Sequence, residues 1–346
     1  MAGSRTPTLS AIATEAGVSV SAVSKVLNGG TDVAADTRAR IARLLRQHGY
    51  QVASQTGFAV ADLLIGNLNS PWAEELIRGA VEAAAEAEVS IIVTTVTSPA
   101  EFARWLDRAS RRGTGGALCV LQLPGSQELE RLAAAQIPLV VIDPPEEPGA
   151  AIRSVGTTNW QGGMQATRHL VELGHRRIGV IGQEAVWSGR ARLAGYRAAM
   201  LEAGLGIDER LVCRDDLSAA GGRAQGQRLL ALPDVPTAIV AGNDAQAFGV
   251  LQALADRGLR APADVSVIGF DDVPVASWAT PALTTIRQPL AAMAAAAFRM
   301  LTGGLPAAEQ EPHHLELATS LVVRESTAPP RHVHQPGERN GGADDC

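Results

Sequence analysis

Aromatic side chains are scarce in this 346-residue sequence, where phenylalanine, tryptophan and tyrosine together make up 3%. A core must therefore be built from alanine, valine, leucine and isoleucine, and the length with 46% hydrophobic content suits two or three domains. Lysine is nearly absent, Lys25 being the single one among 30 lysines and arginines. No apolar run approaches the roughly 18 residues of a membrane span. Residues 1–10 lack the charged and apolar regions of a secretory signal. Cys119, Cys213 and Cys346 are too dispersed for a disulfide framework or a metal spacing. A reduced, cytoplasmic protein without membrane contact is expected. There is no P-loop and no GxSxG, and Gly113-Thr114-Gly115-Gly116 lacks a phosphate-binding pattern. No nucleophile with a paired base is evident, so neither catalysis nor a cofactor is expected. His313-His314 and His332/His334 resemble metal pairs, but the second falls in a loose tail and no metal site is expected.

What is present is unevenly charged. The whole chain carries −6, yet residues 1–57 hold six cations (Arg5, Lys25, Arg38, Arg40, Arg43, Arg46) against three acids (Glu15, Asp32, Asp36). That is +3, leaving −9 on the remainder. A basic head on an acidic body points to nucleic acid, although a solvated basic helix face would give the same value. Residues 8–48 predict three short helices. Leu9, Ile12, Ala13 and Ala16 share a face, and Gly17-Val18-Ser19 interrupts it. Val23, Val26 and Leu27 then turn inward until Asn28-Gly29-Gly30. A third helix from about Asp36 buries Ile41, Leu44 and Leu45 and ends at Gly49. Two helices joined by a three-residue turn containing glycine form a helix-turn-helix, though a plain three-helix bundle shows the same pattern. Ser19 is placed to cap the second helix, leaving Val20, Ser21, Ser24 and Lys25 on its exposed side. Residues 51–61 have no period and read as a linker.

From Asp62 onward short apolar runs alternate with helical stretches. The first series is Leu63–Ile65, Ala73–Ala87, Ile91–Val93, Ala117–Leu121 and Leu139–Ile142. The second is Ile178–Ile181, Ala238–Ala241 and Val265–Phe270. This is the pattern of βαβ units, and two such series predict two α/β lobes with parallel sheets. Residues 328–346, rich in proline, glycine, histidine and charge, are expected to be a disordered tail. Parallel sheets bind ligands at the carboxyl ends of their strands, where this sequence places Asp143, Asn243, Asp271 and, after Asn67-Leu68-Asn69, Trp72. With Arg192 they supply the carboxylate acceptors, amide and guanidinium donors and aromatic face that a polyol needs. Asp244 and Asp272 read as helix caps instead. Arg190 and Arg192 also fit surface charges, the spacing to Gly195-Tyr196 favouring Arg192 as the ligand, and Trp105 and Trp160 read as packing or surface residues.

The run Thr8-Leu9-Ser10-Ala11-Ile12-Ala13, continued by Ala16-Gly17-Val18-Ser19-Val20-Ser21-Ala22-Val23-Ser24-Lys25-Val26-Leu27-Asn28, resembles the N-terminal signature of the lactose/galactose repressor (LacI/GalR) family. Thr37-Arg38 and Gly49-Tyr50 stand at the family's spacing. Further along, Ile137–Asp143, His169–Ile178, Arg190–Tyr196, Asn243-Asp244, Gly269–Asp272 and Pro281–Gln288 extend the resemblance over almost all of residues 8–327. It implies an α/β protein with a helix-turn-helix DNA-binding head (1–50), a hinge (51–61) and a body (62–327) similar to the periplasmic sugar-binding fold. Lobe 1 would take about 62–157 and 290–318, lobe 2 about 158–287 and 319–327, with a ligand cleft between them. It also implies a repressor of sugar-uptake or catabolism genes that binds palindromic operator DNA as a homodimer and is released by a sugar. Nucleosides and purines are other ligands of the family, and an effector acting as co-repressor is equally compatible. No leucine heptad closes the chain, which favours a dimer over a tetramer.

Residue by residue, the resemblance assigns operator choice to Val20, Ser21 and Ala22 behind the cap Ser19, and positioning on DNA to Thr8, Ser24, Lys25, Asn28 and Thr37. Neither Val20 nor Ser21 offers the bidentate pair that reads a base most strongly, so readout there is apolar or single-bonded. Effector contacts fall on Asp143, Arg192, Asn243 and Asp271, with Trp72 in the place of a family aromatic and Asn69, Trp187 and Trp278 as further candidates. Two departures stand out. Ala34 replaces the serine that usually caps the third helix. Gln51–Thr56 has neither the Pro-Asn start of a hinge helix nor the leucine that wedges into the minor groove. Weaker operator bending is expected, unless Val52 or Phe58 substitutes. A solute-binding protein and an enzyme on the same scaffold are the alternatives that the head and the missing nucleophile oppose.

Overall fold

The computed structural model describes residues 7–28, 30, 32–48, 50, 57–149, 152–303 and 314–331. The hinge residues 51–56, His313, and the tail from residue 332 lie outside the described residues. The chain divides into two units, Met1–Gly156 with Leu290–Glu316, and Thr157–Pro289 with Leu317–Cys346.

The head is three helices whose ends are written locally. Thr8 caps α1 (Leu9–Ala16), its hydroxyl accepting from the Ala11 N–H at 3.4 Å. The helix stops at Gly17 in the left-handed conformation (φ 62°), which glycine adopts without a Cβ clash. Ser19 caps α2 (Val20–Leu27) as expected, accepting from the Ala22 N–H at 3.2 Å. The third helix, α3 (Ala35–Gln47), begins right after Ala34 and carries Asp36 in its first turn, where a carboxylate complements the helix dipole. Ile12, Ala13, Ala16, Val23, Val26, Ile41, Ala42 and Leu45 make the core of the bundle. Leu44, expected inside, is only half-buried because Ile41, Ala42 and Leu45 form the inward stripe. The Tyr50 hydroxyl donates to Pro7 O at 2.8 Å and ties the two ends of the head together.

The first unit then runs β1 (Val60–Ile65), α4 (Pro71–Glu86), β2 (Ser90–Thr95), α5 (Pro99–Arg112), β3 (Ala117–Val120), α6 (Ser126–Ala134), β4 (Leu139–Ile142) and β5 (Arg153–Thr157). Its six-stranded sheet has the order β11-β5-β4-β3-β1-β2, where β11 is His314–Leu317. The linker is shorter than the sequence suggested. Val60 and Ala61 belong to β1, paired in parallel with Ser90 and Ile91, and Ala61 is buried; Ala59 and Ala61 beside Val60 blurred the strand's start. Phe58 is packed against the glycine loop. Its ring lies where a Cβ on Gly115 would be, so the glycine loop is shaped to seat that ring.

The second unit contains α7 (Asn159–Glu172), β6 (Ile178–Gly182), α8 (Trp187–Glu202), β7 (Val212–Arg214), α9 (Ala219–Leu229), β8 (Ala238–Ala241), α10 (Asp244–Ala255), β9 (Ser266–Asp271), β10 (Thr284–Arg287) and β12 (Ser320–Val322). They form a sheet in the order β12-β10-β9-β8-β6-β7. β10 and β12 are antiparallel; β10–β9, β9–β8, β8–β6 and β6–β7 are parallel. Strand period divides the side chains between two apolar layers. Ile178, Val180, Val240, Ile268 and Phe270 pack with α7 and α8, while Ile181, Ile239, Ala241 and Val267 pack with α9 and α10. A parallel sheet covered on both faces explains its near-continuous apolar strands. α7 and α8 approach closely because a Cβ on Gly163 would collide with the Arg192 backbone, and one on Gly195 with Trp160 O. The expected tail also starts later than residue 328: His175 Nε2 and Ser266 Oγ donate to Ala328 O at 2.9 and 3.0 Å.

Candidate functional site

On the head, Val20 opens α2 with 46% of its surface exposed. The Ser19 and Ser21 hydroxyls lie 2.9 Å apart beside it. Ser21, Lys25 and Asn28 are exposed, whereas Ala22, Ser24 and Thr37 are half-buried. Lys25 Nζ meets Asp32 at 2.8 Å, and that contact holds the Asp32 carboxyl below the usual carboxylate range. Asn28 Nδ2 donates back to Ser24 O at 2.9 Å, and the Thr8 hydroxyl is engaged in its cap. The leading turn of α2 is thus made of small side chains, with Val20 and Ser21 open to solvent, dimensions that a major groove admits.

Of the expected effector residues, Asn69, Trp72 and Asp143 lie in the first unit. Asp143 follows β4, is buried with φ 49°, and its N–H donates to Val155 O at 2.8 Å. Trp72 is half-buried in the first turn of α4, and Asn69 is exposed with its N–H bonded to Asn67 Oδ1 at 2.8 Å. A cavity of about 350 Å³ at the ends of β2 and β3 is lined by Thr97, Ser98, Phe102, Gln122 and Glu128, among others, and by none of these three.

The second unit brings Arg192 and Asp271 together. Arg192, on α8, is 9% exposed and Asp271, closing β9, 5%, so Arg192 is no surface charge. The guanidinium donates from Nε to Asn159 Oδ1 at 2.8 Å and from Nη1 to Gly242 O at 2.6 Å. Its Cζ lies 3.8 Å from the centroid of the Phe270 ring, a cation–π stack that fixes its plane. Asp271 Oδ1 stands 3.7 Å from Nη1 and accepts from Gln288 Nε2 at 2.6 Å. Asp271 adopts φ 112°, a conformation non-glycine residues rarely hold and one that clusters at functional sites. Arg190, by contrast, is exposed, reaching Glu184 O at 2.9 Å.

Two expectations are corrected. Asn243, not Asp244, caps α10, its Oδ1 accepting from the Gln246 N–H at 2.8 Å while Nδ2 donates to Leu217 O at 3.1 Å. Asp244 lies one residue inside the helix and is buried, accepting from Thr285 Oγ1 at 2.6 Å and the Val273 N–H at 2.9 Å. Burial first, and the nearby Asp271 charge second, push the Asp244 carboxyl well above its ordinary pKa. Asp272 caps nothing. It is clamped by Arg287 Nε and Arg324 Nη2, each at 2.6 Å.

The chain matches two family profiles, "Bacterial regulatory proteins, lacI family" over residues 8–52 and "Periplasmic binding protein-like domain" over residues 167–327. It is 34% identical over 340 residues to the HTH-type transcriptional regulator CelR of Thermobifida fusca, covering 93% of this chain and 98% of the relative. The chain belongs to the LacI family of bacterial regulators. Among solved structures, a CelR–cellobiose complex matches with a TM-score of 0.69 at 33% identity, covering 92% of this chain and 99% of the other. The lac repressor dimer bound to operator and the anti-inducer ONPF matches with a TM-score of 0.68 at 26% identity, covering 94% and 100%. As a LacI-family chain, this protein is a DNA-binding transcriptional regulator, with a helix-turn-helix head and a periplasmic-binding-protein-like body of two parallel-dominated sheets. Among the described residues no helix is long and apolar enough to cross a membrane.

In this LacI-family body Trp187 opens α8 half-buried, and Trp278 stands 74% exposed after a short 3-10 turn. Sequence reasoning missed the residues that hold Arg192 and Asp271 in place: Asn159, Gly242, Phe270 and Gln288. Asn159 carried a faint signal, a polar amide opening a helix just after a strand. Gln288 lies in a quoted family segment but invited no role of its own.

Proposed function

We propose that this regulator is a repressor that grips a two-fold operator as a homodimer through α2 and lets go when a sugar-class solute engages Arg192 and Asp271. The observation that carries the reading is the buried Arg192–Asp271 pair at 3.7 Å. Strong guanidinium–carboxylate contacts close to about 2.7–2.9 Å, so this one is held open. Asn159, Gly242 and Phe270 fix the guanidinium from three sides. A donor fork and an acceptor presented side by side match the vicinal hydroxyls of a polyol, each of which both donates and accepts. Trp187 and the exposed Trp278 are the aromatic faces offered to the sugar's C–H side. CelR, whose complex holds cellobiose, supports the same class of ligand. On the head, Val20, Ser21 and Ala22 contact base edges, and Thr8, Ser24, Lys25, Asn28 and Thr37 set the head on the duplex. Asp143, Trp72 and Asn69 are the first unit's candidate ligand contacts. Asn243 acts as a cap, with its backbone beside Gly242 as its route to the site.

The reading is tested by thermal-shift screening of the full chain against mono- and disaccharides, cellobiose and ribose among them, and against nucleosides. A sugar hit that raises Tm in the wild type and not in Asp271→Ala, while operator affinity in its absence is unchanged, supports it. A hit whose shift survives Asp271→Ala removes the pair from the site.

A further inference from the structure

The residues that hold the Arg192–Asp271 pair do not end at the pair. Arg192 Nε donates to Asn159 Oδ1 at 2.8 Å, and Asn159 Nδ2 donates to Thr157 O at 3.1 Å. On the other side, the Thr157 hydroxyl donates to Gln288 Oε1 at 2.9 Å, and Gln288 Nε2 donates to Asp271 Oδ1 at 2.6 Å. With the 3.7 Å contact between Asp271 and Arg192 this closes a ring of five residues, all buried. The chemistry fixes both amides. Asn159 must accept from a guanidinium that only donates and give to a carbonyl that only accepts, while Gln288 must give to a carboxylate and take from a hydroxyl. An ionised carboxylate only accepts and an ammonium only donates, so neither serves both neighbours, whereas a carboxamide does.

The ring's position along the chain is equally specific. The chain passes between the two units after Gly156, after Pro289 and after Glu316. Thr157 is the first residue of the second unit, and Gln288 is the last but one before the second passage. The third passage is stitched to the same place. The Thr158 N–H donates to Leu317 O at 3.0 Å, and the Thr319 N–H donates to Thr158 Oγ1 at 2.9 Å. All three passages therefore meet, inside the second unit, on Thr157 and Thr158.

We propose that Asn159, Gln288 and Thr157 are positioning residues that report the state of the Arg192–Asp271 pair to the three passages, with Thr157 as the node. The role rests on the reading that a solute engages that pair. A ligand drawing on the guanidinium or the carboxylate tugs one corner of the ring, and both paths from that corner end on Thr157. Hydrogen-bond networks are one physical carrier of such coupling, and here four hydrogen bonds join the five residues while the Arg192–Asp271 contact stays open to a ligand.

Hydrogen–deuterium exchange on the full-length protein without ligand tests the ring separately from the choice of effector. Asp271→Ala is expected to speed exchange in peptides spanning 153–159 and 284–290 by about threefold or more, with peptides of β7 unchanged. In a Thr157→Val background Asp271→Ala adds nothing further to those peptides, whereas in Thr157→Ser, which keeps the hydroxyl, the response returns. The isosteric Asp271→Asn takes the place of Asp271→Ala where the latter does not fold. Equal acceleration everywhere including β7, additive effects of the two substitutions, or no acceleration overturns the proposal. A ring that behaves as expected in a protein whose sugar response ignores Asp271 sinks the effector reading alone.

Discussion

The head's caps, Thr8 and Ser19, are open to solvent and bonded to near neighbours, each three residues from its donor. The side chains around Arg192 and Asp271 in the second unit are buried and bonded across 33 residues from Asn159 to Arg192 and 131 from Thr157 to Gln288. The proposed partners account for the difference. A duplex comes to the surface of a small helix, and its phosphates supply much of the affinity, so the head needs only a rigid turn with small side chains. A small neutral solute offers few contacts, so the protein must hold its donors and acceptors ready in a dry place.

That contrast can be broken by substitution. The largest effect is expected from Arg192→Met, which leaves the Asp271 carboxylate buried without its cation and strips donors from Asn159 and Gly242. A loss of about 3–5 kcal/mol in urea unfolding of the second unit is expected, with helical signals of the head intact. Gly163→Ala sharpens the comparison without touching a polar atom. The new methyl meets the Arg192 backbone and should cost about 1–3 kcal/mol, and it should weaken the solute-induced Tm shift. Ser19→Ala is the head's counterpart. Loss of the α2 cap should cost about 1 kcal/mol, confined to exchange in residues 9–47, with operator affinity reduced and solute binding untouched.

Smaller effects separate the titrating groups of the second unit. His169 and His175 are held below their ordinary pKa of 6.5 by burial, His175 while bonded to Thr237 and Ala328. The unfolded chain therefore takes up protons first. The stability these rings hold above pH 6.5 is lost as pH falls through 6.5 towards their lower folded values. Melting curves between pH 7.5 and 5.5 should show Tm falling, and falling less in His175→Gln, which can keep both hydrogen bonds. The smallest change is expected at Asp244. Its raised pKa means that burial opposes the charged form, so Asp244→Asn should alter stability at pH 7 by less than about 1 kcal/mol, whereas a strictly required carboxylate would show a large loss.

How much of this was legible in the sequence follows the same division. The head could be read almost residue by residue, because caps, glycine turns and a 3.6-residue stripe are local signals, and Ser19 does what its position implied. The strands were legible as apolar runs, with β4 and β8 placed at Leu139–Ile142 and Ala238–Ala241. The start of β1 was hidden because Val60 stands between Ala59 and Ala61, a stretch without period. In the site, Asp271 was visible as a carboxylate closing a strand, and Arg192 through the family segment that leads to Gly195-Tyr196. The choice of capping residue at 243 and 244 was not, because either side chain can accept from the helix and only the fold decides which one faces the sheet. Gln288 and Thr157 were invisible and Asn159 only faintly marked, because their decisive bonds reach residues far along the chain.

Operator binding measured by fluorescence anisotropy, with and without a saturating sugar identified in the thermal screen, joins the two regions in one experiment. Wild-type protein should prefer a palindromic operator over random DNA and lose affinity by about 5- to 150-fold with the sugar, while Asp271→Ala binds the operator equally well and ignores the sugar. No preference for any palindrome, or an unaltered sugar response in Asp271→Ala, would contradict the link between the α2 surface and the Arg192–Asp271 pair.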